Sequence, residues 1–307
     1  MIAELVAPKT VLVDVHYLGQ AEYIAPCLLE NESGVAVIDP GPTSSLAGLE
    51  AGLAARGLSI ADIHTLLLTH IHLDHAGATG TLVKQNPKIR VYVHEKGARH
   101  MIDPTKLLDS AKRIYREHMD WMWGEFLAVP AENVTALTGG EAITVSSRKL
   151  EVVYTPGHAV HHVSYFDQQT GIAFTGDTTG MRPSNRPCVV PVTPPPDIDL
   201  EAWRGSLAAI EERRPERLFV THFGPADNPA WHLEDLRERL ARWGERVAAT
   251  LQAGQPDADA AREFGRQSFD ELTSRLPVAQ FGAMARPEAL EGNWYGLARY
   301  WRKRAGA

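Results

Sequence analysis

Along the first third of the chain, apolar residues come in short runs broken by turn signals, the pattern of strands joined by hairpins and one βα unit. Val11 to Val15 and Tyr23 to Leu29 read as strands, and Asn31-Glu32-Ser33-Gly34 as a turn. Val35 to Ile38 returns as a strand and ends in Asp39-Pro40-Gly41. Ser45 to Arg56 has helical spacing and closes at Gly57, a residue suited to the position after a helix. A buried strand is predicted over Thr65 to Thr69, a helix over Asp74 to Gln85 and a strand over Arg90 to Val93. From Gly97 to about Val129 the pattern turns helical. Leu107, Leu108, Ala111, Ile114 and Tyr115 mark one apolar face, and Met119, Trp121, Met122, Trp123 and Phe126 follow.

Strands resume at Ala142 to Val145, Leu150 to Tyr154, His162 to Phe166 and Ile172 to Thr175, the last two joined by a turn. Met181 to Asp197 is rich in proline and reads as a loop packed over something. A helix over Glu201 to Arg213 and a strand over Arg217 to Thr221 come next. Beyond Trp231 the chain is helical, with Leu233, Leu236, Leu240, Trp243 and Val247 stepping by three and four as one buried stripe. A strand-rich half followed by a βα-type half implies an α/β protein of layered sheets with helices outside.

Composition narrows the classes. A net charge of −7 argues against general nucleic-acid binding, which wants a basic face. No apolar run approaches the length a bilayer requires, and the first residues lack a basic region followed by an apolar one. Cys27 and Cys188 lie far apart in no metal-type spacing and read as buried thiols. The expectation is a cytoplasmic enzyme acting on a small molecule.

The chemistry concentrates where the Thr65 to Thr69 strand ends. His70, His72, Asp74 and His75 place four metal-capable side chains within six residues. Residues i and i+2 of a strand share a side, so His70 and His72 can grip one ion while Asp74 and His75, on the bend, turn towards a second. Three more candidates, His158, Asp177 and His222, each stand directly after an apolar strand. Strand ends are rigid enough to hold ligands to the tolerance that metal geometry demands. Seven such side chains suffice for two ions sharing one carboxylate.

The order Thr-His-x-His-x-Asp-His, then Thr-Pro-Gly-His, then Gly-Asp, then a lone histidine resembles the metallo-β-lactamase-fold superfamily of hydrolases over roughly residues 11 to 228. Within it, the chain is similar to the glyoxalase II, lactonase and phosphoesterase-like branch. The resemblance implies a four-layer αββα sandwich over residues 1–228, interrupted by a helical insertion at about 97–129. A helical extension over 229–307 would pack on the same domain. It also implies one ion held by His70, His72 and His158, a second by Asp74, His75 and His222, and Asp177 bridging both. Zinc is the default, with iron or manganese as alternatives. Asp39 resembles the aspartate that orients the His70 to His75 loop, and His162 would stand behind the ligands. A hydroxide bridging two ions would attack an ester-type bond, a lactone, thioester or phosphodi- or phosphotriester, and Asp74 would relay a proton to the leaving group. The segment Thr178 to Pro183 departs from the glycine- and arginine-rich text of glyoxalase II. The competing expectation is an oxidoreductase resembling the persulfide dioxygenases, which hold one iron.

Trp121, Trp123 and Arg182 are the candidates for a substrate pocket. The two tryptophans would form an apolar lid over the metals, and Arg182, with Arg186, would bind an anionic group. His16, His64, His94, His100, His118 and His232 have no ligand context.

Overall fold

The computed structural model describes residues 2–183, 188–275 and 286–306; Arg186 lies outside them. The first sheet takes seven strands in chain order: β1 (Ala3–Ala7), β2 (Thr10–Val13), β3 (Cys27–Asn31), β4 (Gly34–Ile38), β5 (Ile63–Leu67), β6 (Arg90–His94) and β7 (Val134–Leu137). β1 to β4 pair antiparallel, and β4 to β7 pair parallel. Parallel neighbours need crossovers. α1 (Leu46–Ala54) joins β4 to β5, and α2 (Leu73–Ala76) with α3 (Thr79–Gln85) joins β5 to β6. Between β6 and β7 run α4 (Glu95–Ile102), α5 (Thr105–Tyr115) and α6 (Met119–Trp123).

The second sheet is built from β8 (Ala142–Val145), β9 (Arg148–Tyr154), β10 (Val163–Asp167) and β11 (Ile172–Phe174), then, after α7 (Leu200–Glu212), β12 (Arg217–Val220) and β13 (Gly224–Ala226). Among the described strands of this sheet, only β11 and β12 pair parallel. The chain then continues as α8 (Pro229–Gln252), α9 (Asp257–Thr273) and α10 (Glu288–Arg304).

Strand alternation sorts the apolar residues into layers. Leu29, Ile38, Leu67, Val152, Tyr165 and Phe219 point between the sheets. Their neighbours Leu28, Val37, Leu66 and Leu68 face the other way and pack with Leu53 of α1 and Leu82 of α3. On the far side, Val153, Phe166 and Leu218 meet Trp203 of α7, Trp243 of α8 and Trp294 of α10 in one continuous cluster. Helix, sheet, sheet, helix is therefore the order of layers, and the C-terminal helices share the outer core of the second sheet.

Three departures from the sequence reading have local causes. The helix expected over Asp74 to Gln85 is broken into α2 and α3, because the Ala78 amide donates to Gly41 O (2.8 Å) rather than up the helix. Strands β1, β7 and β13 were not anticipated, and all three lie at a sheet edge. The strand expected from Tyr23 starts only at Cys27, since the Ala25 amide crosses to Thr221 O (2.8 Å) in the other sheet. That bond, with Val163 N donating to Thr69 O and the Tyr165 hydroxyl to Leu68 O (2.8 Å each), ties the two sheets together at the edge where the candidate ligands gather.

Candidate metal centre

Every residue of the site follows the C-terminal end of a strand: Asp39 after β4, His70 to His75 after β5, His158 after β9, Asp177 after β11 and His222 after β12. Two groups form, His70, His72 and His158 in one, and Asp74, His75, Asp177 and His222 in the other. In each, the ligand atoms lie within 4.8 Å of one another. All are buried except His72 and Asp74, which form part of a cavity floor.

Hydrogen bonds at the outer edge of each ring decide which nitrogen faces inward. His158 Nδ1 donates to Val192 O (2.8 Å) and His222 Nδ1 to Tyr23 O (2.8 Å). His75 Nδ1 donates to Asp39 Oδ2 (2.9 Å). The Thr69 hydroxyl gives its proton to Asp39 Oδ2 (2.7 Å), so it accepts from His70 Nδ1 (3.1 Å). In the neutral rings each Nε2 is consequently a lone pair aimed at the centre. His70 Nε2 and His158 Nε2 lie 3.0 and 2.9 Å from His72 Nδ1, three nitrogens converging on one point.

Asp177 stands between the groups. Its Oδ2 is 3.6 Å from His158 Nε2, while Oδ1 is 3.2 Å from His75 Nε2 and 3.5 Å from His222 Nε2. Oδ1 is nonetheless buried without a hydrogen bond. Asp74 Oδ2 lies 3.4 Å from His222 Nε2 and 3.9 Å from His75 Nε2. A buried orphan carboxylate oxygen beside inward-facing imidazole lone pairs is a donor set suited to divalent cations.

Electrostatics divides the groups as the donors do. Burial pulls His70 well below the usual imidazole range, and takes His72 down and His158 down to about 4, keeping the first group neutral. Burial also opposes charge on His75, but Asp177, Asp74 and Asp39 outweigh it and hold that imidazole well above its ordinary value. Asp177 itself is held well below the carboxylate range: burial pushes it up, and His75 and His222 overcome that push. Against the same opposition from burial, His75 and His222 hold Asp74 at about 2.

Asp39 supports the whole arrangement. Its backbone φ of 49° is in the left-handed region that Asp tolerates. Its carboxylate accepts from Thr69 N (2.8 Å), the Thr69 hydroxyl, His75 Nδ1 and the Thr221 hydroxyl (2.8 Å). One side chain thus fixes the loops after β5 and β12 together. His162, also fully buried, stacks behind His70 at 5.0 Å and donates or accepts at Thr155 Oγ1 (2.9 Å). Gly176 has to be glycine here, because a Cβ would lie 2.4 Å from Thr69 Oγ1 and 2.7 Å from His162 Nε2.

Above the groups opens a cavity of about 640 Å³. Trp123 lines it, as do Tyr23, Tyr115 and Met122. Trp121 does not: two positions away on the same short helix, it is 64% exposed and meets His118 edge-on. Arg182 is buried beneath the floor, where its guanidinium donates to Pro225 O and its amide to His222 O. Of the loop expected to pack over something, Pro191 to Asp197 form a cavity wall, and sequence reading missed Ala289, Gly292 and Asn293 of α10. Asn293 Oδ1 accepts from Thr193 N (2.7 Å) and so pins the loop whose Val192 carbonyl holds His158.

A family model described as the metallo-beta-lactamase superfamily matches residues 26–222. The chain belongs to the metallo-β-lactamase superfamily. A hydroxyacylglutathione hydrolase of Pseudoalteromonas translucida is 31% identical over 157 residues, which are 51% of this chain and 46% of that protein. An atrochrysone carboxyl ACP thioesterase of Aspergillus fumigatus is 30% identical over 228 residues, 72% of this chain and 57% of that one. The chain therefore spans about half the length of these two relatives. The metallo-beta-lactamase family protein TTHA1429 from Thermus thermophilus has the same fold, with a TM-score of 0.71 at 24% identity over 98% of this chain and 95% of that one. Because that likeness covers nearly the entire chain, it includes the C-terminal helices as well as the superfamily sandwich. Among the described residues, no helix is long and apolar enough to cross a membrane.

Asp39→Asn keeps the size of the side chain but turns an amide donor towards donors. It is expected to weaken metal retention by about 10–100-fold, measured by elemental analysis after dialysis against dilute chelator, with the circular dichroism spectrum unchanged. Metal content equal to wild type would contradict the role given to Asp39.

Proposed function

We propose that this superfamily member is a dinuclear metal-dependent hydrolase of a small ester-type substrate, a lactone, thioester or phosphodi- or phosphotriester. The observation that carries the reading is the pair of converging donor groups with Asp177 presenting one oxygen to each. His70, His72 and His158 would hold one divalent ion, Asp74, His75 and His222 the other, and Asp177 both. Zinc suits this nitrogen and carboxylate set, as do iron and manganese. When bound, such a pair supplies Lewis acidity to the substrate oxygen and lowers the pKa of water towards neutrality.

The protein's own groups do the rest. Asp74, partly exposed at the cavity floor, is placed to carry a proton to the leaving atom. Tyr23 and Tyr115 stay protonated, since burial and then the nearby Asp74 push both phenols up, and their hydroxyls are available as donors to a substrate oxygen. The completeness of the second donor group favours hydrolysis over the mononuclear oxidoreductase reading. Two relatives named as hydrolytic enzymes, one of them a thioesterase, support the same choice. Cys27 and Cys188 are free and buried, which agrees with a cytoplasmic setting.

Asp177→Asn should retain the fold and lose about 100-fold or more in kcat across a panel of lactones, thioesters and phosphoesters, together with one of two bound ions. More than about a tenth of wild-type kcat, with metal content unaltered, would count against a bridging carboxylate.

The cavity wall gives a second test. Trp123 stacks on Tyr17 at 5.8 Å and faces the cavity, whereas Trp121 faces solvent. Trp123→Ala should erase any preference for longer apolar arms and raise KM, at a stability cost of about 3–5 kcal/mol. Trp121→Ala should change neither selectivity nor melting temperature. Equal effects on selectivity from the two substitutions would refute this assignment.

A further inference from the structure

The cavity is polarised from one metal group to the other. Beside the second group its wall is aromatic: Tyr23 meets His222 edge-on at 5.7 Å and stacks on Tyr17, and Trp123 continues from Tyr17 to Tyr115 (5.0 Å). Beside the first group the wall is α4. Its backbone comes so near that a Cβ on Gly97 would lie 2.9 Å from Ile71 Cγ2 and 3.4 Å from His161 Cβ. His161 in turn stands edge-on to His72 at 5.7 Å. This close approach brings Lys96, Arg99 and His100, with Lys106 at the start of α5, to the same cavity as the metal groups.

Lys96, Arg99 and Lys106 are cations, while burial, with Arg99 and Lys106 beside it, holds the His100 imidazole below its ordinary value and leaves it a neutral hydrogen-bonding ring. The protein is net acidic, and several of its arginines are matched with carboxylates, as Arg239, Arg242 and Arg246 are with Glu271. Among the described residues, no ion pair involves Lys96, Arg99, His100 or Lys106. Lys96 Nζ donates to the Tyr154 hydroxyl (2.8 Å), and Arg99 Nε donates to His100 Nε2 (3.2 Å). The nearby Asp103 carboxylate accepts at Oδ1 from Thr105 N (3.2 Å) and its hydroxyl (2.6 Å), and its charge offsets part of that of Lys106. Asp197, on the facing loop, is the remaining carboxylate of that rim and is outnumbered. Cations without carboxylate partners along a concave wall concentrate the field there and attract anions.

We propose that Lys96, Arg99, His100 and Lys106 form a binding site for an anionic group of the substrate, a phosphate or carboxylate. The substrate is then an anionic amphiphile, with its reacting bond over the metal groups, its charged end against α4 and its apolar arm along Tyr23, Tyr115, Met122 and Trp123. Only the placement of a reacting bond rests on the hydrolase reading above; the binding site itself does not.

The test measures binding to the full-length, metal-loaded protein by tryptophan fluorescence, with decyl phosphonate, decanoate and neutral decanol as probes. None of these contains a hydrolysable ester, so binding is read apart from turnover. Wild type should bind at least one anion more tightly than decanol. The double variant Arg99→Ala/Lys106→Ala should lose about tenfold in that affinity while leaving decanol unchanged. Raising the salt concentration should weaken the anion in wild type far more than in the variant. A loss confined to the phosphonate identifies a phosphate-type group, and one confined to decanoate a carboxylate. Lys84→Ala/Lys88→Ala, two exposed cations outside this cavity, controls for overall charge. The proposal is overturned if Arg99→Ala/Lys106→Ala binds both anions as tightly as wild type, the anion then resting on the metals alone. It is also overturned if the control pair loses as much. Failure of every ester in the hydrolysis panel would sink the hydrolase reading and leave this binding result standing.

Discussion

Five imidazole nitrogens, from His70, His72, His75, His158 and His222, point their lone pairs into one buried space, and such an arrangement holds together only with cations or protons between them. Asp74 and Asp177 add negative charge to that space, and Asp39 adds more directly behind it. Among the described residues, no lysine or arginine pairs with Asp39, Asp74 or Asp177. Burying unpaired lone pairs and carboxylates costs several kcal/mol each, so the geometry depends on the scaffold that prevents the rings from turning away and is suited to cations that would balance its charge.

The scaffold does this through outer hydrogen bonds of modest individual worth, about 1 kcal/mol or somewhat more where a carboxylate accepts. Their arrangement matters more than their sum. Asp39 joins the β5 loop to the β12 loop, the Val192 carbonyl fixes His158, and the Tyr23 carbonyl fixes His222. Each holding group belongs to a different part of the chain, so the ligand geometry is a product of the completed sandwich. The C-terminal helices take part as well: Asn293 of α10 holds Thr193, one residue from the carbonyl that orients His158. A helix remote in sequence thereby bears on a candidate ligand and on the cavity wall at once.

The candidate cluster was legible because a His or Asp shortly after an apolar strand sits at a rigid edge, and the structure brings His70, His158, Asp177 and His222 together there, each a few residues beyond its strand. The layers were legible because β3, β4 and β5 carry short continuous apolar runs, the text of strands covered on both faces. The three unanticipated strands are edge strands, and edges tolerate the short, mixed text of Ala3–Ala7, Val134–Leu137 and the proline-containing Gly224–Ala226. Trp121 and Trp123 could have been separated in advance. Residues two apart on a helix point to nearly opposite sides, so a single short helix cannot aim both at one cavity. Arg182 and Asn293 carried no such signal, because their roles come from contacts that local pattern does not encode.

The most direct measurement is anomalous diffraction at the absorption edges of zinc, iron and manganese on crystals of the protein purified without added metal. Two peaks of bound metal about 3.5–4 Å apart are expected, one among His70, His72 and His158 and one among Asp74, His75 and His222, with Asp177 touching both. A single fully occupied peak that stays single after reconstitution, or a second ion away from Asp177, would contradict the dinuclear centre.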